Sequence, residues 1–325
     1  MKSAIRAFVL AATLVLPLAS VAQEQPWPNR TVHVISTSPP GGSVDLFARI
    51  AAEEFTRTFG QTFVVENRPG ANGNIGVELV MRSPADGHML FVAPAGPFSI
   101  NASIMTSMSF NPSTDIAPVA MFGVSPLLLV VHPSVPAKDL KELLAWMRSQ
   151  EGRVNYASQA IASTGFLAME LLKSLTGVEA THIPYKGSAA GATTDLLAGR
   201  VPMSFVNTST TIRHIRDGKL RAIAVAELKR IAAAPEVPTV AESGVPGFEA
   251  TSWFGLGARA GTPREIIVRL SEAVAHALAR PEVLARLAKL GIEARPMGAD
   301  RFAEFVRAET AKWGGIIRRT GAKAD

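Results

Sequence analysis

The residues best suited to bind a ligand lie in the segment TVHVISTSPPGGSVDLFAR, residues 31–49. A strand rich in β-branched residues ends there at a Pro-Pro-Gly-Gly turn, residues 39–42, whose glycines let a ligand approach the main chain closely. Ser43 is predicted to cap a helix with apolar residues at helical spacing. Because a helix start has unpaired N–H groups and a partial positive charge, this segment favours a carboxylate or a phosphate. An ordinary strand–helix connection would give the same pattern.

Two later segments repeat this arrangement of small polar residues or glycines before a predicted helix. One spans residues 157–164, and the other consists of Lys186, Gly187 and Ser188. In α/β sheets, ligands bind at the carboxyl ends of strands, beside helix N-termini. A charge-assisted hydrogen bond contributes roughly 1.5–3 kcal/mol and a helix terminus about 0.3–1 kcal/mol. About four or five such contacts can therefore reach the ~8 kcal/mol of a micromolar complex without a buried arginine.

Residues that could serve catalysis or metal binding are sparse. The chain has no cysteine and six histidines, none of them four residues from another. Neither a Gly-x-Ser-x-Gly elbow nor a P-loop occurs, and Asp45 is better explained as complementing the helix dipole. We therefore predict no metal, no cofactor and no enzymatic activity. The alternative, a hydrolase or transferase with an anion cradle, requires a histidine beside a serine in the ligand cleft.

The N-terminal segment, residues 1–22, is typical of a secretory signal peptide. Lys2 and Arg6 precede an apolar core at residues 7–18, and a small-residue cleavage site follows at residues 20–22. The apolar core is too short for a comfortable membrane span. Since the chain has no cysteine to which a lipid anchor could be attached, we expect a soluble, exported protein in the periplasm.

The charge of the chain gives no sign of a nucleic-acid partner. The formal net charge of +6 falls to +4 when residues 1–22 are removed, and the basic residues are scattered. A nucleic-acid-binding surface usually needs a basic face with aromatic residues set among it, and none is evident. A weak preference for anionic ligands is compatible with this charge, as is an ordinary solvated surface.

Predicted strands and helices alternate with short connections, which favours an α/β fold with parallel sheets. About ten strands are expected, a number that suits two domains better than one. Predicted strands after the first lie at residues 62–66, 88–93, 153–157, 179–183, 201–206 and 220–226, with two strand-like runs within 116–131. Predicted helices after the first lie at residues 74–82, 138–148, 163–175, 190–198, 263–279, 281–290 and 300–318.

Several motifs together resemble the Bug family, the periplasmic solute receptors of tripartite tricarboxylate transporters. The resemblance runs through almost the entire chain after residue 22. The motifs are SPPGGSVDLFAR at 38–49, ENRPGANGNIG at 66–76, SPADGHMLFVA at 83–93, YAS at 156–158, HIPYKGSA at 182–189, DLLAGRV at 195–201 and VPTVAESGVPGFEATSWFGLGARAGTP at 237–263.

The resemblance implies a type II periplasmic binding protein, a two-domain Venus flytrap with a mainly parallel sheet in each domain and a ligand cleft between them. Domain 1 would contain residues 23–125 and 248–325, and domain 2 residues 126–247. The chain would cross between the domains near residues 123–126 and 243–250.

The same resemblance implies a function in capturing a small solute. The ligand would be a small organic carboxylate, held chiefly by backbone amides and water. The receptor, expected to be a monomer, would deliver it to the membrane components of a tripartite transporter. A ligand-sensing adaptor that docks on the ectodomain of a membrane sensor kinase is the alternative partner assignment.

The resemblance also implies which residues bind the ligand. In the first domain they are Pro40, Gly41, Gly42, Ser43, Asn72, Gly73, Ala93 and Ala95. In the second domain they are Ala157, Ser158, Ser163, Thr164, Lys186, Gly187, Ser188 and Asn207.

This chain departs from the family pattern at positions near the expected pocket. Ala160 and Ala162 stand where relatives usually have glycines, and Phe166 where they have a histidine. Val206 replaces a common aspartate, and the stretch after Ser188 is one residue longer. These changes would make the second-domain half of the pocket more apolar. Alternatively, Phe166 only packs behind the binding loop, which is the interpretation we favour.

Overall fold

The computed structural model describes residues 26–185 and 189–323. The predicted signal peptide and the predicted contacts Lys186, Gly187 and Ser188 lie outside the described residues. The described strands are β1 Val32–Ser36, β2 Phe63–Asn67, β3 Met89–Pro94, β4 Ile116–Val131, β5 Asn155–Ser158, β6 Thr181–Pro184, β7 Met203–Asn207, β8 Arg221–Val225, β9 Thr251–Arg259 and β10 Glu293–Met297.

Helices cover both halves of the strand framework. They are α1 Ser43–Phe59, α2 Asn74–Met81, α3 Asn101–Ile104, α4 Pro112–Asp115, α5 Leu140–Ser149, α6 Thr164–Thr176, α7 Ala189–Leu197, α8 Thr208–Arg216, α9 Arg264–Ala279, α10 Pro281–Lys289 and α11 Ala299–Thr320. A 3-10 turn, Ala71–Gly73, precedes α2, and a π-helical turn, Gly96–Ile100, precedes α3. No described helix combines the length and the apolar composition that crossing a membrane requires.

One long strand, β4, belongs to two half-sheets. Residues 116–126 of β4 pair with β9, and the first half-sheet continues through β3 and β1 to β2, with β10 also on β4. Residues 127–131 pair with β7 and β8, and the second half-sheet continues through β5 to β6. The two strand-like runs expected within residues 116–131 are therefore one continuous strand.

Each half-sheet is mixed, which differs from the mainly parallel sheets expected. The outer strands are parallel, as β2, β1 and β3 are in one half and β6, β5 and β7 in the other. The pairings made by β4 and β9 are antiparallel. The reason is topological: β4 carries the chain out of the first half-sheet, and β9 carries it back beside β4 in the opposite direction. Residues 23–125 with 248–325, and 126–247, remain our proposal for the two domains.

The apolar core joins the two halves as well as filling each of them. On one face of the first half-sheet, Phe47 of α1 stacks on Phe122 of β4 with ring centroids 5.0 Å apart. The core on the opposite face continues from Trp313 of α11 past Leu129 of β4 to Leu172 of α6. The halves are thus connected by packed side chains around β4, in addition to the chain itself.

The structure contains five strands and helices that the sequence patterns did not predict, namely α3, α4, α8, β9 and β10. Helix α8 is rich in Thr and Ser, which have weak helix propensity, and its buried residues Thr208, Thr211 and Ile212 fix it by tertiary packing. Strand β9 contains Gly255 and Gly257, which weaken a strand signal. A Cβ at either glycine would lie 2.3 Å from the ring of Phe302 or Phe91, so the glycines make room for these rings.

We expect Gly123→Ala to destabilise the fold, because a Cβ on Gly123 of β4 would lie 2.3 Å from the carbonyl oxygen of Glu293 in β10. Overpacking of this kind lowers the free energy of unfolding by about 1–3 kcal/mol, measurable by urea denaturation. The matched control is Gly315→Ala in α11, where a Cβ meets nothing within 4 Å. Alanine there should raise the free energy of unfolding by about 1 kcal/mol. Equal effects of the two substitutions would contradict the close packing of β4 on β10.

Candidate functional site

A cleft of about 580 Å³ lies between the two half-sheets. Half of the predicted binding residues line it: Pro40, Gly41, Gly42, Ser43, Asn72, Ser163, Thr164 and Asn207. The lining residues that were not predicted are Ser38, Pro39, Val44, Pro94, Gly96, Gln159, Ala162, Gly165, Phe205, Ser209, Thr210, Ser252 and Phe254.

Three helix starts meet at this cleft. Ser43 and Val44 begin α1, Thr164 and Gly165 begin α6, and Ser209 and Thr210 lie in the first turn of α8, all of them in the lining. Helix α1 belongs to the first half-sheet, whereas α6 and α8 belong to the second. Because the first N–H groups of a helix have no partner within it, each helix can donate hydrogen bonds into the cleft. Each helix also contributes a partial positive charge there.

The start of α1 differs from the prediction by one residue. Gly42, in extended backbone at φ −84° and ψ 174°, is the N-cap, and Ser43 is the first helical residue, so Ser43 is not the capping residue that was expected. Gly42 accepts the first helical hydrogen bond, from Leu46 N at 3.0 Å. Gly41 has φ +86°, a conformation that glycine adopts without strain. No side chain caps the helix; Asp45 of the first helical turn instead accepts a hydrogen bond from Gly41 N, at 3.0 Å.

Asp45 is a buried carboxylate directly behind the turn. Burial opposes its ionisation, but hydrogen bonds from Arg49, Gly41 and Asn67 outweigh burial and hold the pKa of Asp45 below its usual range. Arg49 binds both carboxylate oxygens, at 2.9 and 3.0 Å. The negative charge next to an anion-favouring helix start is therefore offset by a guanidinium group on the same helix.

Asn72 extends from the first half of the cleft towards the second. Its backbone is left-handed at φ 52°, a conformation that asparagine tolerates better than most residues. Its Nδ2 donates to Asn101 Oδ1 at 2.7 Å and, across the cleft, to the carbonyl oxygen of Ala162 at 3.4 Å. A Cβ on Gly96 would lie 2.9 Å from Asn72 Nδ2, so Gly96 makes room for this amide.

The loop before α6 is tightly constrained. Ser163 is the N-cap of α6, and its hydroxyl oxygen accepts a hydrogen bond from Phe166 N at 3.2 Å. Ala162 has φ 72°, a left-handed conformation that suits the glycine expected at this position from the family pattern. A Cβ on Gly165 would lie 2.4 Å from the carbonyl oxygen of Phe205. Only glycine therefore permits the close approach of α6 to β7.

The start of α8 links the two half-sheets. Asn207 ends β7, and its Oδ1 accepts a hydrogen bond from the Ser252 hydroxyl of β9 at 3.3 Å. The Thr208 hydroxyl donates to the carbonyl oxygen of Pro126 at 2.8 Å, next to the point where β4 changes partners. Within the sequence, the signal for this helix start was limited to Asn207, a favoured N-cap residue, followed by polar Thr and Ser.

Five predicted binding residues within the described ranges do not line the cleft and are buried behind it. Ala93 and Ala157 are fully buried, Ala95 is almost so, and Gly73 packs against Pro97 and Thr37. Ser158 is 1 % exposed. Their expected roles as ligand contacts stay predictions, as do those of Lys186, Gly187 and Ser188 outside the described residues.

Electrostatically, the described lining contains no Asp, Glu, Lys, Arg or His side chain. Its polar residues carry hydroxyl and amide groups, and its apolar residues include Phe205 and Phe254. Within residues 26–185 and 189–323, no cluster of three His, Asp or Glu side chains is arranged to hold a metal ion. The described groups can donate hydrogen bonds to an anionic oxygen, which the helix dipoles stabilise further.

A serine and a histidine lie side by side near the cleft, whereas the enzyme alternative requires such a pair within it. Ser158 Oγ and His182 Nε2 are 2.6 Å apart, but Ser158 Oγ also donates to the carbonyl oxygen of Ala160 at 2.9 Å. Neither residue lines the cleft. The pair therefore fixes the loop around Ala160 from behind rather than presenting a nucleophile.

His182 lies between two aromatic rings. Its ring centroid is 4.7 Å from that of Phe166 and 5.0 Å from that of Tyr156. Burial lowers the pKa of His182 to about 4, although the charge of Glu170 opposes the shift. Phe166 is outside the described lining and 6 % exposed, in agreement with the interpretation that it packs behind the loop.

Comparison with known proteins places this arrangement among solute receptors. Residues 47–322 match the family described as "Tripartite tricarboxylate transporter family receptor". The chain is 36 % identical over 307 residues to protein BugT of Bordetella pertussis, covering 94 % of each chain.

Two solved structures have similar folds. One is R. palustris Rpa4515 with adipate, with TM-score 0.84 and 35 % identity over 91 % of this chain and 99 % of that one. The other is MatC from Rhodopseudomonas palustris with bound malate, with TM-score 0.79 and 31 % identity over 90 % of this chain and all of that one. These similarities confirm the predicted two-lobe α/β binding-protein fold.

We expect acid to destabilise the native chain partly through His182. The native pKa of about 4 lies below the ordinary value of 6.5. Between these pH values the unfolded chain therefore binds a proton that the native chain excludes. This contribution to stability is complete above pH 6.5 and is lost as the pH falls to 4, with a slope of at most about 1.4 kcal/mol per pH unit.

The measurement is the free energy of unfolding by urea from pH 8 to pH 4 for the native sequence and His182→Gln. The variant should show a shallower loss of stability below pH 6.5. Above pH 7 the difference between the two proteins should be independent of pH. If the free energies of unfolding of the two proteins differed by a constant amount from pH 8 to pH 4, His182 would not be held neutral by its surroundings.

Proposed function

We propose that this chain, which belongs to the tripartite tricarboxylate transporter receptor family, binds a small organic carboxylate in the cleft between its lobes. The observation that carries the proposal is the meeting of three helix starts, from α1, α6 and α8, at a cleft whose described lining has no charged side chain. Backbone N–H groups, side-chain hydroxyls and ordered water would hold the carboxylate. The carboxylate would be released unchanged to the membrane components of a tripartite transporter.

The ligands of two relatives support the class of solute. Rpa4515 is described with adipate and MatC with malate, and both ligands are small organic carboxylates. A cleft of about 580 Å³ lies in the usual range for pockets that hold small molecules. The family resemblance recognised from sequence motifs is confirmed by the match over residues 47–322.

The distribution of donors supports recognition by the main chain. Helix α1 approaches from one lobe, and α6 and α8 approach from the other. A carboxylate that accepts hydrogen bonds from both sides would favour the closed arrangement over an open one. We propose the lining residues Pro40, Gly41, Gly42, Ser43, Asn72, Ser163, Thr164 and Asn207 as the part of the cleft that surrounds the ligand.

The family supports the proposed location and partner. Its members are receptors of tripartite transporters, and we propose that this chain acts in the periplasm as a monomer that presents its ligand to such a transporter. The Ser158–His182 pair supports a receptor rather than a hydrolase, since the Ser158 hydroxyl is bonded to a carbonyl and the buried Ser158 does not line the cleft. No feature of the described residues favours the sensor-kinase alternative.

Adipate and malate should raise the melting temperature of the protein lacking residues 1–22, because a ligand that binds only the native state stabilises it by mass action. At a ligand concentration of about 100 times Kd the stabilisation is about 2.7 kcal/mol. Thermal-shift screening followed by calorimetric titration measures the effect. Adipamide, the uncharged analogue of adipate, is the matched control and should give no shift. A shift with phosphate, metal ions or nucleic acid, and none with any carboxylate, would contradict the proposed ligand class.

We expect Gly42→Val to abolish carboxylate binding while leaving the fold intact. Gly42 has φ −84°, which valine adopts freely, and a Cβ there has only the Pro39 carbonyl oxygen within 4 Å, at 3.9 Å. The side chain would therefore occupy cleft space where the ligand meets the start of α1. The loss of a single charge-assisted hydrogen bond would already lower the affinity about tenfold or more, and the displaced ligand would lose further contacts.

The matched control is Gly298→Val, which places valine at the N-cap of α11 in the same extended backbone, φ −69° and ψ 167°, away from the cleft. Calorimetry should give the control a Kd close to that of the native protein, and circular dichroism should show both variants folded. Retained affinity in folded Gly42→Val would place the ligand elsewhere.

A further inference from the structure

We infer that Asn67 and Asp45 are positioning residues that hold the Pro-Pro-Gly-Gly turn in its binding geometry without touching the ligand. Neither side chain lines the cleft. Residues 38–44, the segment that both side chains contact, line it throughout. The inference rests on the proposed function, since it concerns how the same cleft is kept ready for a carboxylate.

Asn67 connects the beginning of the turn to helix α1. It is the last residue of β2 and pairs with Ser36 at the end of β1, immediately before the turn. Its Nδ2 carries two hydrogens and donates one bond to the carbonyl oxygen of Ser38 and one to Asp45 Oδ1, both at 2.9 Å. A single amide group therefore spans from the start of the turn to the helix that follows it.

Asp45 completes the connection at the other end of the turn. Its Oδ2 accepts the N–H of Gly41 at 3.0 Å. Its side chain is 6 % exposed, and Arg49 binds both oxygens, so the carboxylate has a fixed orientation. Because Asp45 takes the Gly41 amide, the N–H groups left to face a ligand are those of the helix start itself, beginning after Gly41.

The arrangement matters for binding because a flexible turn would lose conformational entropy when the ligand ordered it. Gly41 and Gly42 permit many backbone conformations in the absence of restraints. Fixing a binding loop in advance reduces this loss and raises affinity without any new contact to the ligand. Asn67, which belongs to the ENRPGANGNIG motif and lies on β2, would thereby influence ligand binding without contacting the ligand.

The experiment compares Asn67→Ala, Asp45→Asn and the double variant with the native protein, with adipate and malate as probes. Each single substitution should raise Kd by about tenfold or more. The Kd of the double variant should be at most about threefold higher than that of the weaker-binding single variant, since both changes break the same connection.

The matched control is Glu54→Gln, on the same helix but away from the cleft. Glu54 is a buried carboxylate, 1 % exposed, that accepts hydrogen bonds from Arg57 and Arg280. This substitution should lower the melting temperature and leave Kd within about twofold of native, since independent sites do not couple. A positioning role predicts the opposite pattern for Asn67→Ala, namely a raised Kd with little change in melting temperature.

Amide hydrogen exchange supplies a readout that needs no ligand. In Asn67→Ala, exchange should become faster in residues 38–46 and stay unchanged in residues 54–59. Faster exchange with weaker binding supports the inference. Unchanged exchange in residues 38–46, or a Kd within about twofold of native in both single variants, overturns it. If the native protein binds neither adipate nor malate, the proposed function fails for these ligands, and the exchange measurement still decides the positioning role.

Discussion

The arrangement of the cleft depends on one property of helices, the unpaired N–H groups in their first turn. In this chain the first turns of α1, α6 and α8 all line one cleft. No charged side chain lies in the described lining to compete with them. The position of a backbone N–H group is set by the elements that pack against its helix. The packing behind each helix start is therefore part of the site. Asp45 holds the turn before α1, the Ser158–His182 pair holds the loop before α6, and Thr208 anchors α8 to β4.

Strand β4 sets the relation between the two groups of donors. Residues 116–126 hydrogen-bond within one half-sheet and residues 127–131 within the other, so a single backbone determines where the halves meet. The carbonyl oxygen of Pro126, at this transition, accepts the Thr208 hydroxyl at the start of α8. The Ser252 hydroxyl of β9 reaches Asn207 from the first half-sheet. The start of α8 is therefore hydrogen-bonded directly to both strands that cross between the halves.

Local signals in the sequence were sufficient for some of these features and not for others. The Pro-Pro-Gly-Gly turn and a helix beginning near Ser163 were predicted, because proline, glycine and serine restrict the backbone within a few residues. Helix α8 could not, since its Thr and Ser residues have weak propensity and its burial comes from distant segments. Strand β9 was missed because Gly255 and Gly257 weaken the pattern, and their purpose is visible only when Phe302 and Phe91 pack against them. The roles of Asp45 and Asn67 likewise depend on a contact between β2 and α1.

Recognition through main-chain donors has a consequence for selectivity. Backbone amides are the same in every sequence, so in the proposed receptor they would provide affinity for a carboxylate without distinguishing one acid from another. Discrimination must then come from the shape and polarity of the remaining lining. Phe205 stacks on Phe248, with ring centroids 5.8 Å apart. Phe254 packs against Phe47 in a tilted arrangement, with ring centroids 5.3 Å apart. Because close-packed residues cannot yield without disturbing the core behind them, Phe205 and Phe254 would limit the bulk of a ligand in the proposed receptor. The carboxylate end of a ligand would thus be selected by charge and hydrogen bonding, and the rest of it by fit.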